Sequence, residues 1–106
     1  MNKQILTRAS KIAKLNDQFR HLGIYTITPG ISALPSVIEV LNKVLTYTDF
    51  NEDNDPYLEH DFGSFTYLHY TIYFKIDYYN QDLSSYADPL SPNCTRVLTV
   101  MRSEEY

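Results

Sequence analysis

Apolar residues recur at spacings of three and four over residues 3–22: Ile5, Ala9, Ile12, Leu15, Phe19 and Leu22. That spacing predicts an amphipathic helix with these residues on its buried stripe. Lys3, Lys11, Lys14, Asn16 and Gln18 fill most of the remaining circumference, and Gly23 follows as the expected C-terminal glycine. Ile24 to Thr28 is β-branched and aromatic, which predicts a short strand ended by a Pro29-Gly30 turn. A second helix is predicted from about Leu34 to Thr46, with Val37, Ile38, Leu41, Val44 and Leu45 on its apolar side. Pro35 suits its first turn, while Ser36 and Glu39 have the spacing of a capping box and imply a start one or two residues later.

The period changes after residue 61. Phe62 to Tyr67 and Thr71 to Tyr79 read as strands joined by Leu68-His69-Tyr70. In the second, Ile72, Phe74, Ile76 and Tyr78 alternate with Tyr73, Lys75, Asp77 and Tyr79, the pattern of a half-buried strand. Thr95 to Met101 is a last strand. Residues 48–61 and 80–93, rich in Asp, Asn, Ser and Pro, read as loops, and the second is long enough to be suspected of function. The expected order is helix, strand, helix, strand, strand, strand. Two amphipathic helices and one apolar sheet face predict an α+β fold: both helices on one face of a small, mainly antiparallel sheet of about four strands.

With 106 residues, a single domain over 1–106 is the natural reading. A 43% hydrophobic content with only three Gly and five Pro excludes collagen, low-complexity and disordered chains. No apolar run reaches the ~18–20 residues of a membrane helix. Met1-Asn2-Lys3-Gln4 has no apolar stretch behind it, so no signal peptide is expected. Cys94 is the sole cysteine and forms no internal disulfide, so a cytoplasmic setting is expected.

Charge divides the chain unevenly. Residues 1–45 carry +4 and residues 46–106 carry −8, for a net −4. Either a basic helix complements an acidic sheet and loops within the fold, or the acidic half faces a basic partner. The basic residues of the first helix are spread around it with no aromatic platform among them, so direct nucleic-acid binding is not expected.

Three groups of residues bear on chemistry. Asp49-x-Asn51-x-Asp53 imitates the start of an EF-hand loop, but Asn54 stands where that loop has Gly and His60 where it has its bidentate Glu. Glu59-His60-Asp61 could supply a base or a ligand, yet one histidine with two carboxylates is an incomplete metal set. No metal and no cofactor is expected. Finally, there are ten tyrosines and no Trp, and Tyr67, Tyr70, Tyr73, Tyr78 and Tyr79 gather on or beside one hairpin. Tyrosine suits partly wet interfaces, and it is also a plain strand former. No phosphate loop, nucleophile elbow or zinc pattern is present.

Five strings together carry a resemblance: Ala13-x-Leu15-Asn16-Asp17-x-Phe19-Arg20, Ala33-Leu34-Pro35, Asn54-Asp55-Pro56-Tyr57-x-Glu59-His60-Asp61-Phe62-Gly63, Phe74-Lys75-Ile76-Asp77-Tyr78-Tyr79, and Thr95-Arg96-Val97-Leu98-Thr99-Val100-Met101. The chain resembles a family of small proteobacterial proteins, often carried on plasmids and other mobile elements, known only as a domain of unknown function. The resemblance implies one compact α+β domain and a mobile-element setting; it implies no activity.

Three functional readings follow. One is a small acidic protein-binding inhibitor of a host defence complex, anti-CRISPR-like, imitating nucleic acid or occupying a basic surface. Its contact residues would be Asp49, Glu52, Asp53, Asp55, Glu59 and Asp61, with Tyr73 and Tyr79 as aromatic anchors. The second is a small enzyme or metal-dependent hydrolase using Glu59, His60, Asp61 and Asp77. The third is an interaction module that pairs with itself as a homodimer.

Overall fold

The computed structural model describes residues 7–106. In chain order the elements are α1 (Arg8–His21), β1 (Thr26–Ile27), α2 (Pro29–Ser32), α3 (Val37–Leu45), β2 (Phe62–Tyr67), β3 (Tyr70–Tyr79) and β4 (Thr95–Arg102), closed by a 3₁₀ turn at Ser103–Glu105. The four strands form one sheet in the order β1-β4-β3-β2. The fold is α+β, as expected, with two differences. The sheet is mixed, because β1 lies parallel to β4. An extra one-turn helix, α2, stands where Pro29-Gly30 was expected only to turn the chain.

Each helix start has a local cause. The Thr7 hydroxyl accepts from the Ser10 N–H and caps α1. The Ser36 hydroxyl accepts from the Glu39 N–H, so the later of the two expected starts of α3 is the real one. Pro29 occupies the first turn of α2, where a missing N–H costs nothing. The β2–β3 hairpin closes on two residues, and Leu68 takes φ +54° at its first turn position.

The core lies between the helices and one sheet face. Val40 and Val44 of α3 and Ile31 of α2 meet Ile72, Phe74, Ile76, Leu98 and Val100 of the sheet, all buried. The alternation of β3 holds: Tyr73, Lys75, Asp77 and Tyr79 pair in register with Met101, Thr99, Val97 and Thr95 on the opposite face. Gly63 fits because a Cβ there would overlap the rings of Phe74 and Tyr47.

The stripe of α1 departs from expectation. Ile5 lies outside the described residues. Ile12 is buried, but Leu15 is 38% exposed and Leu22 68%. The inward ridge is instead Ile12, Asn16 and Arg20, at i, i+4 and i+8, with Ala13 beside it. Two polar residues thus enter the core: Arg20 is bonded through its two terminal nitrogens to Asp17 and the Tyr47 carbonyl while its buried Nε has no partner, and Asn16 is satisfied at both ends of its amide. Asn16 Nδ2 donates to the Glu59 carbonyl at 2.9 Å and the Tyr78 hydroxyl at 2.8 Å. Its Oδ1 accepts from Arg96 Nε at 2.7 Å. Arg96 also donates to the Pro89 carbonyl and lies over the Tyr78 ring. Asn16 therefore ties α1 to the 46–61 loop and to two strands, and Arg96 carries the link on to the second loop; burial holds the Tyr78 phenol protonated far above its usual range.

At the outer edge, the Tyr47 hydroxyl sits against Ser64 of β2. It accepts from the Ser64 N–H at 3.2 Å and lies 3.1 Å from the Ser64 carbonyl.

Candidate functional site

Two surfaces bring together polar or aromatic groups. The first lies between α1 and the 46–61 loop. Asp17 and Arg20 fall on adjacent turns of α1, and an ion pair of 3.0 Å joins them. The loop reaches this pair through His60, whose Nδ1 lies 3.1 Å from both oxygens of Asp17. A carboxylate only accepts, so Nδ1 carries the hydrogen. Nε2 faces Asp55 Oδ2 at 3.6 Å. The imidazole stacks flat on Phe50, with centroids 3.9 Å apart and planes 2° from parallel.

The loop is folded to make this possible. Asp55 Oδ1 accepts from the N–H groups of Glu59 and His60, and both Leu58 and His60 adopt left-handed backbone, φ +60° and +58°. A cleft of about 530 Å³ opens on one side of the Asp17–His60 bridge and a hollow of about 230 Å³ on the other.

These groups consume one another. Both imidazole nitrogens face carboxylates, Asp17 is shared with Arg20, and Asp55 is engaged by backbone. The arrangement is a clasp between α1 and the loop.

The residues Glu59, His60, Asp61 and Asp77 are not assembled as one catalytic set. Asp77 lies on the opposite sheet face and pairs with Lys75 at 2.9 Å. Glu59 and Asp61 are each pushed up from the ordinary carboxyl range, chiefly by burial and then by neighbouring carboxylates. The Asp61 carbonyl accepts from the Ile76 N–H and so fixes the loop to the sheet. Among the described residues no group of three or more His, Cys, Asp or Glu side chains is arranged to hold a metal ion. The EF-hand-like stretch is a turn: Asn51 Oδ1 accepts from the N–H groups of Asp53 and Asn54, and Asn54 Nδ2 donates to the Asp49 carbonyl.

The second surface is the sheet face away from the core. Tyr73 and Tyr79 stand on β3 at either side of the Lys75–Asp77 pair. The Lys75 ammonium is held above its usual range by its hydrogen bond to Asp77. Tyr106 folds back edge-on over Phe62 and Tyr73, with centroids 6.2 and 5.8 Å away. A groove of about 380 Å³ runs between Tyr79 and Tyr106, over Val97 and Met101.

The expected contact residues therefore divide. Tyr73 and Tyr79 share the open sheet face. Asp49, Glu52 and Asp53 are exposed on the loop, and Glu59 and Asp61 are half-buried. Asp55 is a correction: at 2% exposure, with its carboxylate bonded to the loop backbone, it cannot touch a partner. The sequence reading missed Asn16, Asp17, Arg20, Phe50 and Tyr106. The first three lie in the string Ala13 to Arg20, whose polar residues at i and i+4 were the available signal.

No curated protein and no solved structure matches the chain. A family model does, over residues 27–105, from β1 through the 3₁₀ turn; α1, with Asp17 and Arg20, lies outside the match. The chain belongs to this family, DUF3768, described as a protein of unknown function.

Proposed function

We propose that this protein is a binding module for another protein, with the open sheet face as its contact surface. One observation carries the reading. All three helices serve the other face, and this one presents two tyrosines flanking an ion pair. Aromatic anchors around a polar centre are what protein interfaces use. The −8 charge of residues 46–106 favours a basic partner. Asp49, Glu52 and Asp53 act at longer range, speeding encounter rather than making the central contact.

A photocrosslinking residue at Thr66 or Thr95, on the rim of this face, should capture a partner in cells, while one at Lys11 or Glu39 should not. Adducts from the helix positions alone would overturn the reading. Its specific form is an anti-CRISPR-like inhibitor, for which size and acidity speak. Expression should then raise phage plating on cells defended by a CRISPR system, and the double variant Tyr73→Ala, Tyr79→Ala should lose the effect.

A further inference from the structure

We infer that the groove between Tyr79 and Tyr106 is a receptor for an arginine side chain of the basic partner, an inference that rests on the open sheet face being the contact surface. The groove holds about 380 Å³, room for one long side chain on a floor of Val97 and Met101. Its charged lining is two carboxylates, Asp77 and Glu105, against one ammonium, Lys75. Lys75 is already held by Asp77 through Oδ2 at 2.9 Å, which leaves Oδ1 for a second donor. Glu105 is fixed at the rim by the Thr28 hydroxyl and by the N–H groups of Gly30 and Arg102.

An entering cation thus meets net negative charge and two phenol rings. A guanidinium fits this better than an ammonium. It is planar and stacks on aromatic faces, it is more weakly hydrated, and it can donate to Asp77 while its stem lies on the apolar floor. An acidic ligand would face two carboxylates with the lysine already paired. The −8 of the surrounding half-chain acts in the same direction at longer range.

The test is an NMR titration of the ¹⁵N-labelled full chain with acetyl-Gly-Arg-Gly-amide and its lysine and citrulline counterparts. The arginine peptide should shift the amides of Asp77, Val97, Thr99 and Tyr106. The lysine peptide should bind several-fold more weakly, and the citrulline peptide should not bind. Asp77→Asn should weaken the arginine peptide about tenfold, equivalent to ~1.4 kcal/mol. Tyr106→Ala, which leaves the buried core intact, should weaken it as well. Equal shifts from all three peptides, shifts centred on residues 48–55, or no shift at all would overturn the inference. Open-face crosslinks obtained alongside a silent arginine titration would sink the arginine receptor and leave the protein-binding reading standing. Loss of the crosslinks alone would sink that reading.

Discussion

His60 adopts a left-handed backbone that costs a non-glycine residue of order 1–2 kcal/mol. Its ring contacts keep it there: Phe50 beneath, Asp17 on one nitrogen and Asp55 near the other. His60→Ala removes those contacts and keeps the backbone strain, so it should cost ~1–3 kcal/mol and lower the melting temperature. His60→Gly also loses the ring but relieves the backbone, and it should melt between the wild type and the alanine variant. Equal melting of wild type and His60→Ala would dismiss the clasp. Asp61 behaves oppositely to a stabilising carboxylate. Burial raises its folded-state pKa, so the fold favours the protonated form. Its contribution is present at pH below the unfolded carboxyl range and is lost as pH rises through the folded value. Asp61→Asn should therefore raise the melting temperature at neutral pH and flatten the pH dependence across the acid range. Asp88 has the reverse sign. The Leu90 N–H and then Arg8 lower its pKa, so its contribution is lost on acidification.

At the scale of elements, α1 shows how a hydrophobic stripe can give only part of a helix's buried face: Ile12 and Phe19 pack inward as expected. Hydrophobicity placed Leu15 and Leu22 inward, but the inward ridge is Ile12, Asn16 and Arg20. Pattern reading counts polar residues as outward, and here three hydrogen bonds to Asn16 make burial tolerable. Ile12→Ala should cost about 2–4 kcal/mol, while Leu15→Ser should be near neutral in denaturant melts. The reverse order would restore the hydrophobic stripe. The β3 alternation was legible because strand period depends only on residue spacing. The parallel pairing of Thr26 with Thr99 was not, because nothing local in a two-residue strand names a partner so far along the chain. α2 was hidden for a similar reason: Pro29-Gly30 reads as a turn, and one helical turn begins the same way.

Over the whole molecule, the division of charge is partly internal. Arg8 of the basic half pairs with Asp88 of the acidic half at 2.8 Å, and Arg20 spends its charge on Asp17. What remains on α1 is scattered, so no shift of duplex DNA should appear in a gel assay at physiological ionic strength. A salt-sensitive shift would instead make α1 a binding element. The candidate site was half legible in the same sense. Tyr73, Lys75, Asp77 and Tyr79 could be placed on one face from alternation alone. The groove could not, because it needs Tyr106 to fold back from the chain end onto Phe62 and Tyr73.

The hydroxyl of Tyr47 at the β2 edge has a consequence for solubility. An edge strand offers unpaired N–H and C=O groups on which another chain can nucleate a sheet. Ser64 stands mid-strand among the outward-facing positions of β2; the Tyr47 phenol accepts from its N–H and covers its carbonyl, which shares the single phenol hydrogen with the Asp49 carbonyl. An incoming strand would find the ladder interrupted at its centre. Tyr47→Phe keeps the ring, with its edge-on contacts to Phe50 and Phe74, and removes the hydroxyl from Ser64 together with its contacts to the Asp49 carbonyl and Asn54 Nδ2. The variant should fold, yet light scattering over a concentration range should show it associating at concentrations where the wild type does not. If so, this tyrosine protects the molecule against templated aggregation through its β2 edge.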